Sequence, residues 1–271
     1  MSLDLQAYLR RIGIATAGAP SPSVLAQLHD AHTRAIPFEN LDVLLGRNIR
    51  LDVAALQQKL VHENRGGYCF EQNSLFAAVL RELGYSVTTL GARVRYSVPK
   101  GIETPMTHMV LAVESGDRTW LADVGFGGVG LTTPIPWEVD VEQVTRLDTY
   151  RLAASGGNTL LQANMRGEWQ DLYEIGPEPL KPIDYEVANW FTSTHPSSRF
   201  VQGLAVARPT EDGRWTLRNG VLAFRRGDDS EESPIRTMPA LIEVLRLRFG
   251  LAVPLDARFR VPVLPAPTDS L

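Results

Sequence analysis

The chain has 271 residues, longer than one average domain, and its 44% hydrophobic and 21% charged residues are those of an ordinary folded protein, which excludes a disordered segment or a coiled coil. A formal net charge of -4, with no stripe of clustered Lys and Arg, excludes a general nucleic-acid binder, because neutralising phosphates needs an excess of cations. No apolar stretch approaches the roughly 20 residues of a membrane span, the N-terminus lacks a signal-peptide pattern, and a single cysteine forms no internal disulfide, so the expected compartment is the cytoplasm with no membrane partner.

The first third reads as helical. Ser21-Pro22 starts a helix on which Val24, Leu25, Leu28 and Ala31 recur at helical spacing until Pro37 interrupts it. Asp52 caps a second helix carrying Leu56, Leu60 and Val61. A third is predicted from Cys69 to Leu83, with Leu75, Phe76, Val79, Leu80 and Leu83 on one side and Gly84 as its stop signal. Cys69 therefore sits at a helix N-terminus.

From Tyr85 the pattern changes to short runs rich in Val, Thr and Leu, punctuated by Gly, Pro and Ser, which predicts an antiparallel sheet or small barrel. A polar and aromatic segment from Asp184 to Phe200 reads as a helical connector. Asn219-Gly220 between alternating runs predicts a hairpin, the charged run from Arg225 to Glu232 a solvated loop, and Met238 to Arg248 a helix. The tail from Pro262 to Leu271 is expected to be extended. The class is thus α+β in several units: residues 1–84 helical and carrying the nucleophile, 85–182 β and carrying its partners, 183–203 a connector helix, and 204–271 a smaller α/β unit.

A lone cysteine is more often a small buried hydrophobe than a nucleophile. Three features of Cys69 point the other way. Arg65-Gly66-Gly67-Tyr68 precedes it, so the backbone turns sharply there and approaches a ligand closely. The helix start favours thiolate over thiol, and the same free N–H groups suit an oxyanion during acyl transfer.

His108 and Asp123 lie on two consecutive predicted strands joined around Ser115-Gly116-Asp117. A two-residue loop makes Val110 face Asp123 with His108 its diagonal neighbour, and a four-residue loop makes His108 face Asp123 directly. Both registers put the two side chains on one face, whereas an odd loop separates them. An inward carboxylate beside an inward imidazole fixes the ring for base work. The stretch Gly125-Phe126-Gly127-Gly128-Val129-Gly130 formally matches a dinucleotide fingerprint, but Pro134 and Pro136 keep the required helix from following. A tight loop bordering the site is expected instead. His29 and His32, three apart on a helix, have no further ligand nearby for a metal, and no metal is expected.

RGGYCFEQN around Cys69, THMVL around His108 and DVGFG from Asp123 resemble the arylamine N-acetyltransferases, as do Pro37-Phe38-Glu39-Asn40-Leu41-Asp42 and the Asn189-Trp190-Phe191 to Pro196 segment. The resemblance spans roughly residues 1 to 205 and is thin beyond them. It implies a helical bundle, a β-barrel and an α/β lid around a Cys-His-Asp core like that of cysteine peptidases. It also implies ping-pong chemistry, in which Cys69 takes an acetyl group from acetyl-CoA and an arylamine or arylhydrazine attacks the thioester. Acetyl-CoA is then a co-substrate, and no cofactor is permanently bound. His108 acts as base and Asp123 holds it. Phe38, Phe126, Tyr68 and Gly127 are the expected substrate-binding residues, although core packing explains the aromatic rings equally well. Glu39 and Arg65 are expected to form a buried ion pair. An amide synthase with a larger acyl thioester, a cysteine peptidase or transglutaminase-like enzyme, and an inactive binder of aromatic ligands are the alternatives.

Overall fold

The computed structural model describes residues 3–254 and 256–264. The Asp4 carboxylate caps α1 (Leu5–Arg11). Helix α2 (Pro22–Ala35) starts as expected, with the Ser21 hydroxyl accepting from Val24 N–H at 3.3 Å, and extended Ile36 ends it before Pro37. A two-residue strand, β1 (Phe38–Glu39), and a short helix, α3 (Leu41–Leu44), follow.

The segment capped by Asp52 departs from the expected single helix. It is a short α4 (Val53–Gln57) running into a π-helical turn, Gln58–His62. The wider turn keeps Leu60 and Val61 buried while Lys59 Nζ reaches Asp42 at 2.8 Å and Glu71 at 2.7 Å. Helix α5 (Cys69–Glu82) ends in a Schellman motif: Gly84, at φ 93°, donates to Arg81 O, and Tyr85 N–H donates to Leu80 O.

Eight strands come next: β2 (Ser86–Val94), β3 (His108–Ser115), β4 (Arg118–Ala122), β5 (Ile135–Pro136), β6 (Glu142–Val144), β7 (Thr149–Ser155), β8 (Asn158–Met165) and β9 (Glu168–Pro179). They form one antiparallel sheet in the order β5-β4-β3-β2-β9-β8-β7-β6. The edges curl toward each other, with Gln143 Nε2 on β6 donating to Pro136 O on β5 at 3.0 Å, so the barrel is nearly closed. Strand alternation sorts the faces. Leu90, Val110, Leu121, Leu152, Leu161 and Tyr173 fill the interior, whereas Met109, Leu111, Val113 and Ala122 pack outward against the core containing α5.

The connector is α6 (Pro182–Thr194) and α7 (Arg199–Gln202). Beyond it lie β10 (Ala205–Pro209), β11 (Arg214–Arg218), β12 (Val221–Arg226), β13 (Asp229–Pro234) and α8 (Met238–Phe249). Arg218 pairs with Val221 across Asn219 (φ 47°) and Gly220 (φ 76°), the two positive dihedrals of a type I′ hairpin. The run from Arg225 to Glu232 is a second hairpin, with Arg226 paired to Asp229, and not a loop. Its charges from Arg226 onward are exposed, whereas Arg225 is half-buried and reaches Asp148 at 2.6 Å; the pairing of β12 with β13 needs only backbone groups and so escapes a composition-based reading.

Strand β1 was not foreseen. Phe38 pairs with Ala207 and Glu39 with Val206, so the second sheet runs β1-β10-β11-β12-β13 and takes its edge from the N-terminal part of the chain. Leu41 and Leu44 of α3 join Val206, Leu217, Leu241, Leu245 and Phe249 in a third core. Of the expected extended tail, residues 265–271 lie outside the described residues.

Candidate active site

The turn that leads to Cys69 rests on buried charge. Arg65 donates to Glu39 Oε1 through Nη2 at 2.7 Å and Nε at 3.0 Å, and to Asp42 Oδ1 at 3.1 Å. The expected Glu39–Arg65 pair is therefore part of a larger network that continues through Lys59 to Glu71. Glu71 caps α5 by accepting from Tyr68 N–H at 3.1 Å. Gly66 admits this packing, since a Cβ there would lie 2.0 Å from Pro37 O. The turn delivers Cys69 to the first position of α5, 3% exposed, with its thiol 3.6 Å from Thr107 O.

Thr107 precedes His108, which begins β3. The β3–β4 register pairs Ser115 with Arg118 and Leu111 with Ala122. This is the two-residue loop, with Gly116 at φ 68°, and continuing it one step sets Val110 opposite Asp123. His108 is the diagonal neighbour, and its parity with Val110 and Leu121 turns both polar side chains to the barrel mouth. The two residues are buried, with His108 Nε2 2.7 Å from Asp123 Oδ2. Nδ1 is the ring nitrogen that remains for the thiol.

Electrostatics favour the charged pair. Burial alone pulls His108 down, but the Asp123 charge, its hydrogen bond and the neighbouring Cys69 override this and push the imidazole up to about 10. Burial opposes ionisation of Asp123 too, yet His108, Asn73 and the Gly125 N–H hold it below the usual carboxylate range.

Asn73 and Gly125 escaped the sequence reading. Asn73 Nδ2 donates to Asp123 Oδ1 at 2.8 Å and to Met109 O at 2.7 Å, and its Oδ1 accepts from Val124 N–H at 3.0 Å. It stands four residues after Cys69, one helical turn along the same face, and that spacing was the available signal. Gly125 N–H donates to Asp123 Oδ1 at 2.9 Å. A Cβ on Gly125 would lie 2.6 Å from Cys69 Cα, so glycine lets this loop touch the start of α5. Tyr173, reaching in from β9, sets its ring 4.7 Å from His108.

The expected substrate-binding residues fall on two sides. Phe126 meets His108 edge-on at 5.2 Å and Tyr173 at 5.0 Å. Gly127, at φ 79°, lies over Phe38, where a Cβ would come within 2.9 Å of the ring. Phe38, Phe126 and Gly127 line one narrow cleft, with a cavity volume of about 20 Å³, together with Asp123, Ala207 and Arg214. Tyr68 is fully buried between Phe70 and Phe200 and donates its hydroxyl to Asn189 of α6. No helix follows the glycine-rich loop; Gly130 N–H closes it on Gly127 O at 2.6 Å, and β5 comes next. Both ring nitrogens of His32 are hydrogen-bonded, to Tyr8 and Gln72. No helix among the described residues is long and apolar enough to cross a membrane.

Comparison with known proteins identifies the family. A family model described as N-acetyltransferase matches residues 23–258. The chain is similar to an arylamine N-acetyltransferase of Mycolicibacterium smegmatis, 44% identical over 93% of both chains. An arylamine N-acetyltransferase / N-hydroxyarylamine O-acetyltransferase of Salmonella typhimurium is 39% identical over 93% of this chain and 90% of its own. Among solved structures, the Mycobacterium marinum arylamine N-acetyltransferase in complex with CoA superposes with a TM-score of 0.89 at 43% identity, covering 91% of this chain and 92% of that one.

Proposed function

Because this chain belongs to the arylamine N-acetyltransferase family, we propose that it transfers an acetyl group from acetyl-CoA to an arylamine or arylhydrazine in two half-reactions through Cys69. The observation that carries this reading is the placement of a cysteine at the start of α5 beside a buried, hydrogen-bonded His108–Asp123 pair.

In the first half-reaction the Cys69 thiol gives its proton to His108 Nδ1, and the thiolate attacks the acetyl carbonyl. The developing oxyanion is received by first-turn N–H groups of α5, which have no partner within the helix. When the carbon–sulfur bond to CoA breaks, the imidazolium returns the proton to the departing thiolate, leaving an acetyl thioester on Cys69 and a neutral ring. In the second half-reaction the amine attacks that thioester while His108 accepts its proton, and the bond to Cys69 breaks to release the amide. Asp123 keeps its charge throughout and holds Nε2–H. Phe38, Phe126 and Gly127 shape the acceptor side, where a flat aromatic amine stacks; Tyr68 braces the nucleophile from behind.

Family membership sets aside the peptidase and transglutaminase-like alternatives. Incubation with acetyl-CoA and intact-mass measurement test the rest. The expected result is one added acetyl group, absent in Cys69→Ala and discharged by an aniline or hydrazine. An unmodified protein, or an adduct that survives in Cys69→Ala, refutes the reading. A panel of larger acyl thioesters separates an amide synthase.

A further inference from the structure

Helix α2 carries two fully buried imidazoles, His29 and His32, for which the reaction above has no use. His32 is satisfied by Tyr8 and Gln72, each at 2.8 Å, and Gln72 Nε2 in turn donates to Pro37 O and Gly67 O at 3.1 Å. His29 packs edge-on against Phe76, ring centres 5.8 Å apart, and its Nε2 lies 3.2 Å from the backbone N of Asp123.

That N–H has left the sheet ladder, since the last β3–β4 pair is Leu111 with Ala122. An imidazole nitrogen accepting a hydrogen bond needs a lone pair, so the proton of the neutral ring sits on Nδ1. Nδ1 itself is buried and has no hydrogen-bond partner among the described residues. Asp123 is thus held from three directions: Asn73 and the Gly125 N–H take one carboxylate oxygen, His108 takes the other, and His29 takes the main chain. Asp123 and Asp30 are the charged groups that face His29, with His32 one turn away, and burial outweighs them, keeping the ring neutral down to about pH 4.

We propose that His29 is a positioning residue for the acetyl-transfer site: its neutral imidazole accepts the Asp123 backbone N–H and fixes the carboxylate against His108. The proposal rests on the acetyl-transfer reading of that site. It gives the helix-spaced histidine pair a purpose in place of metal binding, because one partner of the pair is fully engaged elsewhere.

Gln and Asn substitutions separate reach from polarity. The amide oxygen of Gln extends to the position of Nε2, whereas that of Asn stops near Nδ1. His29→Gln is expected to keep Cys69 acetylation within about threefold of the unsubstituted enzyme, and His29→Asn to lose on the order of 10- to 100-fold, the scale of a small misplacement of reacting groups. The pH profile of Cys69 alkylation by iodoacetamide should shift in His29→Asn alone, with KM for acetyl-CoA unchanged. Folded variants that behave alike overturn the proposal. If neither folds, ¹⁵N-histidine NMR of the unsubstituted protein decides: an Nδ1–H tautomer at His29 supports the assignment, and an Nε2–H tautomer overturns it. Failure of the acetyl-transfer reading looks different, because the unsubstituted protein then forms no Cys69 adduct at all.

Discussion

Gly125→Ala tests whether the contact between the carboxylate loop and the start of α5 sets the reaction geometry. The new Cβ would stand 2.6 Å from Cys69 Cα, 2.9 Å from Asn73 Nδ2 and 3.1 Å from Cys69 O. Two of these three neighbours are main chain, which no rotamer change can move aside. Ordinary contact begins near 3.4 Å, so loop and helix must separate by about 0.8 Å, against a steep repulsive wall. Overpacking of this kind costs about 1–3 kcal/mol in stability, and roughly 2–4 °C in Tm for each kcal/mol in a chain of this size. The rate should suffer more, because a shift approaching 1 Å between reacting groups costs on the order of 100-fold, or about 2.7 kcal/mol of barrier. Differential scanning calorimetry gives the first quantity, and single-turnover acetylation of Cys69 followed by quenched-flow mass measurement gives the second. A folded variant with unchanged Tm and an undiminished acetylation rate would refute the reasoning.

Two further outcomes concern stability. Arg65→Met removes the cation shared by Glu39 and Asp42, leaving Glu39 buried without its partner. The expected cost is about 3–5 kcal/mol, read as a lower urea midpoint, and a change under about 1 kcal/mol contradicts it. The pH dependence has several signs to combine. His29 and His32 are lowered by burial to about 4 and about 3, against roughly 6.5 unfolded. The unfolded chain therefore binds more protons in that window, and stability falls as pH drops from about 6.5 toward 4. Glu71, pushed up by burial, opposes this with one group against two. Asp42, Asp123 and Asp148 are lowered, so the stability they contribute is present above about pH 4 and is lost as pH falls through their depressed values. His108 is raised, so its share is complete below about pH 6.5 and is lost as pH climbs toward about 10. Urea midpoints should decline from near-neutral pH in both directions, and an acid side that stays flat down to about pH 4.5 would contradict burial of the two histidines in neutral form.

Much of this was legible because its determinants are local. The period of Leu75, Phe76, Val79 and Leu80 with Gly84 after them defines α5 and its end. Asn219-Gly220 defines its hairpin, and strand parity alone limits His108 and Asp123 to one face or two. The unread features depend on distant partners. Strand β1 is two residues long, too short to show alternation, and exists because β10 lies beside it. The π-helical turn follows from where Lys59 finds carboxylates. Asn73 carries no sign of its role until Asp123 arrives from fifty residues away. That no helix follows the glycine-rich loop is legible too, since Pro134 and Pro136 act on their immediate neighbours.

The edge strand β1 has a consequence for how the protein is made. Asn40, just after it, donates to Gly203 O across 163 residues of chain and accepts from Ala205 N–H, and Glu39 on β1 is an anchor of the network beneath Cys69. A ribosome therefore releases the cysteine-bearing helix long before the backbone that braces its support exists. Chains cut short at the connector would carry Cys69, His108 and Asp123 and still leave the ground under the thiol unfinished.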